Sequence, residues 1–390
     1  MKLANKLFVV FLLFVIVSCS KNEEEDYVDI SVDETDLLDE SDSITSNDAA
    51  ILSNFLNLPT NSYNYSNINL PGYFYNNDLR REDNTPNNNQ TTNNGATLGR
   101  VLFYDKKMSA NNTVSCASCH NQADGFSDSK RLSEGFEGGL TGRNSMGLAN
   151  ARFYRNGNFF WDERANSLEE QVLMPIQDHV EMGMTLTNLE SKLQNEDYYQ
   201  VLFRRTFGDE NVTSERISRA LAQFIRSMVS YQSKYDSGLA QTNDPRRPFP
   251  NYTESENIGK NLFFSNRTRC SDCHITNAFV GDRARNNGLD AVITDGGLNN
   301  RGEFKTNSLR NIGLTAPYMH DGRFATLTEV VNHYNNGVRN SQFLDGRLRQ
   351  GNGVRRLNLS ANERQALVDF LLTLTDNNFV TDPKFSDPFK

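Results

Sequence analysis

The chain has 390 residues, 37% of them hydrophobic and 23% charged, which suits a folded body of two ordinary domains. Its net charge of −9 argues against nucleic acid as a partner, because phosphate binding needs a basic surface. An acidic surface suits a basic protein partner instead.

The first residues read as a targeting segment. Lys2 and Lys6 precede LFVVFLLFVIV, a run too short and too close to the start for a membrane span. It ends in VSCS, and this resembles a bacterial lipoprotein signal over 1–19, in which Cys19 becomes the lipid-bearing first residue. A plain secretory signal cut nearby is the alternative. The following SKNEEED resembles the acidic tract by which Bacteroidetes lipoproteins reach the outer face of the outer membrane. The expectation is a cell-envelope protein, lipid-anchored to the outer membrane and facing the periplasm or the outside. Residues 20–50 are acidic, rich in Ser and Asp and without apolar periodicity, and read as a disordered tether. Residues 51–75 carry scattered apolar side chains that pack on the body, and 84–95 is an Asn-rich loop.

A repeat follows. ATLGRVLFYDKKMSANNTVSCASCHNQADGF and ENIGKNLFFSNRTRCSDCHITNAF share Gly, a basic residue, a Leu-Phe-aromatic step, Cys-x-x-Cys-His and a later Phe. Two copies of one module imply two similar domains, at 51–245 and 246–390. Between them QTNDPRRPFPNY is Pro-rich and reads as a linker. Helical patterns dominate elsewhere. The stretch 212–236 places Ile217, Leu221, Phe224, Ile225 and Met228 on one face. Ser360-x-x-Glu363 and Thr326-x-x-Glu329 are capping boxes, the second ahead of a stop signal at Asn336-Gly337. The fold class expected is all-α.

CASCH (116–120) and CSDCH (270–274) are attachment motifs for haem c. Cys116, Cys119, Cys270 and Cys273 join the haem vinyl groups as thioethers, and His120 and His274 reach the irons as proximal ligands. A redox dithiol has no need of the following His, and zinc wants four ligands from a compact set. The remaining histidines are His179, His320 and His333. The sixth position on each iron then decides function, because a closed one gives electron transfer and an open one gives oxygen chemistry.

The sequence resembles the dihaem cytochrome c peroxidase/MauG family. The resemblance covers roughly 50–378 and rests on LGRVLFYDKKMS, both Cys-x-x-Cys-His motifs, GRN (142–144), FWDERANSLEEQ, EMG and LRNIGLTAPYMHDGRFATLTEVV. It implies two cytochrome c-like domains, each holding one haem c, with Ca²⁺ between them. Trp161, the only tryptophan, matches the family's electron relay between the haems. Glu181, 20 residues later, matches its catalytic carboxylate. Chemistry gives Glu181 the same role, since a carboxylate beside bound peroxide moves the proton from one oxygen to the other. Gln171 and Pro175 match positions that shape the peroxide pocket. Asn144, Thr315 and Pro317 match the calcium ligands, in keeping with hard oxygen donors.

Two departures from the family pattern stand out. Many members supply a second His to the N-terminal haem, from the loop after the first motif, but no histidine lies between His120 and His179 and the matching position is Phe136. That implies an open iron needing no reductive activation, unless His179 reaches it; a surface-loop position is the other reading of His179. Many members also place a Met on the C-terminal iron, where this chain has Tyr334, as MauG-like members do. His333 and Met319 are the competing donors.

Three functions follow. One is reduction of hydrogen peroxide with electrons from a small donor protein such as a cytochrome c or cupredoxin. Another is MauG-like oxidation of a partner protein through Trp161. The last is plain electron carriage, which Glu181 and Gln171 argue against. Family members are commonly dimers, so a homodimer is among the expectations.

Overall fold

A computed structural model describes residues 44–75 and 79–390. The signal segment, Cys19 and most of the stretch 20–50 lie outside the described residues. The longer helices are, in chain order, α1 (Ser46–Phe55), α2 (Asn93–Tyr104), α3 (Leu186–Gln194), α4 (Asp197–Phe207), α5 (Ser214–Ser227), α6 (Lys234–Thr242), α7 (Glu254–Phe263), α8 (Leu327–Asn332) and α9 (Ala361–Leu372). The chain is thus mainly helical. Its paired strands, Arg349–Gln350 and Gly353–Val354, form a short antiparallel ribbon with Arg349 opposite Val354. No described helix is long and apolar enough to cross a membrane.

Helix α1 starts inside the stretch expected to be a tether, because the Thr45 hydroxyl accepts from the Asp48 N–H at 3.1 Å and caps it. The capping boxes at Thr326/Glu329 and Ser360/Glu363 both form. The helix expected over 212–236 stops at Ser227 instead. Asn150 Oδ1 accepts from the Ser230 N–H, and Asp376 Oδ2 accepts from the N–H groups of Tyr231 and Gln232 at 3.0 and 2.9 Å. These long-range bonds draw residues 228–232 off the helix before α6 begins.

The sequence repeat returns as a repeat of packing. Gly99 on α2 lies against α5, where an added methyl would strike the main-chain carbonyl of Ala220 and the Phe224 side chain. Gly259 on α7 lies against α9 in the same way, facing the Ala366 carbonyl and Phe370. Only glycine permits either approach. Phe103, at the end of α2, has its ring 6.2 Å from Phe126 and 5.4 Å from Phe224. Phe263, at the end of α7, stands 5.7 Å from Phe279 and 5.1 Å from Phe370. Each set anchors its own buried cluster, the first built mainly from residues before 230 and the second from residues 235–374.

One segment crosses this division. Phe379 and Phe385 pack in the first cluster, with Phe379 5.4 Å from Phe126. The Pro-rich stretch read as a linker is also packed, because Phe249 and Tyr252 are buried in the second cluster and Lys260 Nζ donates to the Arg247 carbonyl at 2.7 Å.

Candidate functional site

Cys116–Cys119 is a single helical turn, closed by the Ser115/Ser118 capping box. Both thiols are free and half-buried. His120 follows, with Nδ1 3.0 Å from the Phe126 carbonyl and 3.2 Å from Ser145 Oγ. A carbonyl only accepts, so Nδ1 carries the proton and Nε2 keeps its lone pair for a metal. Burial lowers the basicity of His120, which favours the neutral ligand form. Phe126 presents that carbonyl from a left-handed backbone at φ 60°, a conformation rare for a bulky residue and costly unless packing enforces it.

The second motif repeats the device. Cys270 and Cys273 are free and half-buried. His274 Nδ1 lies 3.4 Å from the carbonyl of Phe279, which is left-handed at φ 52°. Burial pulls the His274 imidazole down to about 4. Cys270, Cys273 and His274 line a large cavity whose apolar walls include Phe263, Val331 and Leu371.

These features fit haem c. Burial pushes the Cys116 thiol up to about 12 and the Cys270 thiol up to about 11, so thiolates for a zinc site are disfavoured. Thioether sulfur is neutral and suits the same burial. Among the described residues no group of three or more His, Cys, Asp or Glu is gathered for a metal ion.

Glu181 sits on a turn fixed by Asp178, whose Oδ1 accepts from the N–H groups of Val180 and Glu181 at 2.8 and 3.2 Å. The Glu181 carbonyl accepts from the Phe136 N–H at 3.0 Å, and the Phe136 ring fills the space over Gly183. Phe136 therefore braces the Glu181 turn. Burial, helped by Asp178, pushes the Glu181 carboxyl above its ordinary range, and Arg164 partly offsets this. Its charge in turn raises both Cys116 and Cys119, so the carboxyl is within electrostatic reach of the first pair of thiols. Gln171 and Pro175 are half-buried, on the short turns Leu168–Gln171 and Met174–Gln177 that lead to Glu181. His179 is exposed.

Trp161 is tied at both ends of the residue. Its indole Nε1 donates to the Asn144 carbonyl at 2.8 Å, and its own carbonyl accepts from the Lys305 N–H at 2.7 Å. Trp161, Asn144, Thr315 and Pro317 line the same cavity as the second cysteine pair. The Asn144 amide nitrogen donates to the Arg131 carbonyl at 3.1 Å, which fixes the plane of its oxygen. Arg143 bridges Asp162 and Asp295, with contacts of 2.7 Å to each. His320 stacks on Phe304 at 3.6 Å between centroids.

Sequence reasoning missed Lys305. It is buried, with Nζ 4.1 and 4.0 Å from the ring centres of Tyr154 and Phe159. Burial pulls its ammonium down to about 7. Nothing in the spacing of TNSL or GEFK signals this, because its neighbours come from elsewhere in the chain.

Beyond α8 the helix widens into a π-turn at His333–Gly337, a distortion frequent at functional sites. Tyr334 lines the cavity of the second motif, and burial pushes its hydroxyl up to about 12. His333 is buried with Nε2 3.1 Å from the Asn287 carbonyl. Met319 also lines the cavity, with its sulfur accepting from Asn287 Nδ2 at 3.5 Å.

Comparison with known proteins agrees with this geometry. The family described as di-haem cytochrome c peroxidase matches residues 93–244. Methylamine utilization protein MauG of Methylophilus methylotrophus is 31% identical over 297 residues, spanning 74% of this chain and 84% of that protein. Cytochrome c551 peroxidase of Nitrosomonas europaea is 33% identical over 251 residues, 60% of this chain and 71% of its own. The crystal structure of a MauG-like protein associated with microbial copper homeostasis superposes with a TM-score of 0.71 at 31% identity, over 83% of this chain and 99% of that one. With two Cys-x-x-Cys-His seats built to one plan and relatives matched over most of their length, this chain belongs to the di-haem cytochrome c peroxidase family of oxidoreductases.

Proposed function

We propose that this chain reduces hydrogen peroxide to water at the haem seated on Cys116, Cys119 and His120, drawing electrons from the seat formed by Cys270, Cys273 and His274. When bound, the first haem supplies the iron that holds peroxide and the redox equivalents for O–O cleavage. The chain supplies the rest. Phe126 holds His120 in the tautomer that offers Nε2. Glu181 takes the proton from one peroxide oxygen and returns it to the other, which leaves as water. Asp178 and Phe136 hold the Glu181 turn, Gln171 and Pro175 wall the pocket, and Trp161 carries electrons between the seats.

The observation that carries this reading is the half-buried Glu181, held on a turn that Asp178 fixes and Phe136 braces. The test is haem-loaded Glu181→Gln, assayed for peroxide turnover with a reduced small cytochrome c. Activity should fall by roughly 10²–10⁴-fold; full activity would sink the assignment.

A second reading, MauG-like oxidation of a partner protein through Trp161, is favoured by Phe136 in place of a histidine and by Tyr334 on the cavity wall. One equivalent of peroxide added to the fully oxidised protein separates the two. Immediate loss of the ferric EPR signals supports the second, and inertness until one haem is reduced supports the first with a hidden ligand.

The same reading includes two cytochrome c-like domains at 51–245 and 246–390, and a lipid anchor at Cys19 in the outer membrane. It includes a small donor protein such as a cytochrome c or cupredoxin, and a homodimer. It also includes Ca²⁺ at Asn144, Thr315 and Pro317, supported by their sharing one cavity wall with Trp161.

A further inference from the structure

Three donors compete for the sixth position at the second haem seat, and one residue bonds two of them. Tyr334 and Met319 both line the cavity of Cys270, Cys273 and His274. Met319 is held there by an unusual backbone, left-handed at φ 77°, which is strained for a methionine. His333 is the neighbour of Tyr334 on the π-turn. Asn287 lines the same cavity. Its carbonyl accepts from His333 Nε2 at 3.1 Å, and its amide nitrogen donates to Met319 Sδ at 3.5 Å.

Asn287 is placed firmly. Asn286 before it donates from Nδ2 to the Arg301 carbonyl at 2.8 Å and accepts from the Gly288 N–H at 2.9 Å. Gly288 after it is left-handed at φ 70°, where a side chain would meet Val338 and Leu344. Its carbonyl accepts from the Arg339 N–H at 2.8 Å. With both neighbours fixed, the main-chain carbonyl of Asn287 is fixed as well.

We propose that Asn287 selects the sixth ligand of the second haem. Its carbonyl occupies His333 Nε2, the only ring nitrogen of His333 that could turn to a metal without breaking that bond being Nδ1. Its amide holds the thioether of Met319 by a bond to sulfur, and Tyr334 is the donor left for the iron. Asn287 is a positioning residue, acting through Met319 and His333. The inference rests on the reading of Tyr334 as the ligand.

The test uses the full haem-loaded chain and reads spectra and potentials. Asn287→Leu removes the amide donor but keeps the main-chain carbonyl. Asn287→Asp keeps the shape and also removes the donor, which guards against a folding defect in the first. Either variant should gain the far-red absorption band of ferric haem bound to thioether sulfur. The potential of that haem should rise, as Met ligation raises it. Adding Met319→Leu should abolish the new band. Wild-type spectra and potential in both Asn287 variants, with altered spectra in Tyr334→Phe, would overturn the role of Asn287 and leave Tyr334 as ligand. Unaltered spectra in Tyr334→Phe, or a far-red band already present in the wild type, would overturn the reading of Tyr334 and this inference with it.

Discussion

The indole nitrogen of Trp161 donates to the main-chain carbonyl of Asn144 at 2.8 Å. One hydrogen bond thus fixes the edge of the only tryptophan against a residue proposed to hold calcium. Trp161→Phe keeps an aromatic body and removes that bond and the indole. Stability should fall by only about 0.5–1.5 kcal/mol. Donor-driven peroxide turnover should fall roughly tenfold or more, equivalent to about 1.4 kcal/mol of barrier. Denaturant unfolding and steady-state kinetics on the same preparation check the two together. Equal losses in both would indicate a packing role alone.

Glu181 gives a prediction with two opposite signs. Its folded carboxyl is pushed up by burial and by Asp178. As a base it must be ionised, so activity should rise with pH through a value above the ordinary Glu range of about 4.3. That limb should vanish in Glu181→Gln. A raised folded value also means that ionising the group costs stability, a cost absent below the unfolded value and growing as pH rises through the folded one. Glu181→Gln should therefore melt at or above the wild-type temperature at neutral pH, with the difference closing below about pH 4. A variant that loses activity and gains stability is the signature of a functional, destabilising group.

Gly99 and Gly259 make matched predictions. Gly99→Ala drives a methyl into the Ala220 carbonyl, and Gly259→Ala drives one into the Ala366 carbonyl. Main chain yields little, so each variant should lose about 1–3 kcal/mol in chemical denaturation. Neither position faces the cavity of the second motif, so the loss should appear in stability before ligand spectra.

Arg310 is 0% exposed and pairs with Asp236, which is 4% exposed. Its NH2 group lies 2.9 Å from Asp236 Oδ1, and Nε donates to the Asn277 carbonyl at 3.0 Å. Arg310→Met strands a buried carboxylate. It should destabilise by about 3–5 kcal/mol, read as a shifted denaturation midpoint. Arg310→Met with Asp236→Leu should recover much of that, because the uncompensated charge is then gone.

Local chemistry explains what could be read from the residues. The capping boxes at Ser360 and Thr326 are satisfied within a few residues, and both form. The repeated Gly and Phe around the two motifs encode one packing scheme, and both copies adopt it. The misses share the opposite property. Helix α5 ends early because Asn150 and Asp376 bind residues 230–232 from far along the chain. The Pro-rich segment is packed because Phe249 and Tyr252 find a core its composition does not announce. Asn287 and Lys305 gain their importance from neighbours that no spacing records.

The packing of Phe379 and Phe385 beside Phe126 has a consequence for biosynthesis. Tyr104 Oη donates to the Phe385 carbonyl at 2.7 Å, and Gln122 Nε2 donates to the Asp382 carbonyl at 3.0 Å. The wall behind His120 is therefore completed by residues made long after the first Cys-x-x-Cys-His motif. A chain emerging from a ribosome presents its first seat early and closes it late. Through that interval a haem held only by packing would be free to leave, whereas one joined through two thioethers stays. The covalent attachment proposed at Cys116 and Cys119 would serve the nascent chain as much as the finished enzyme.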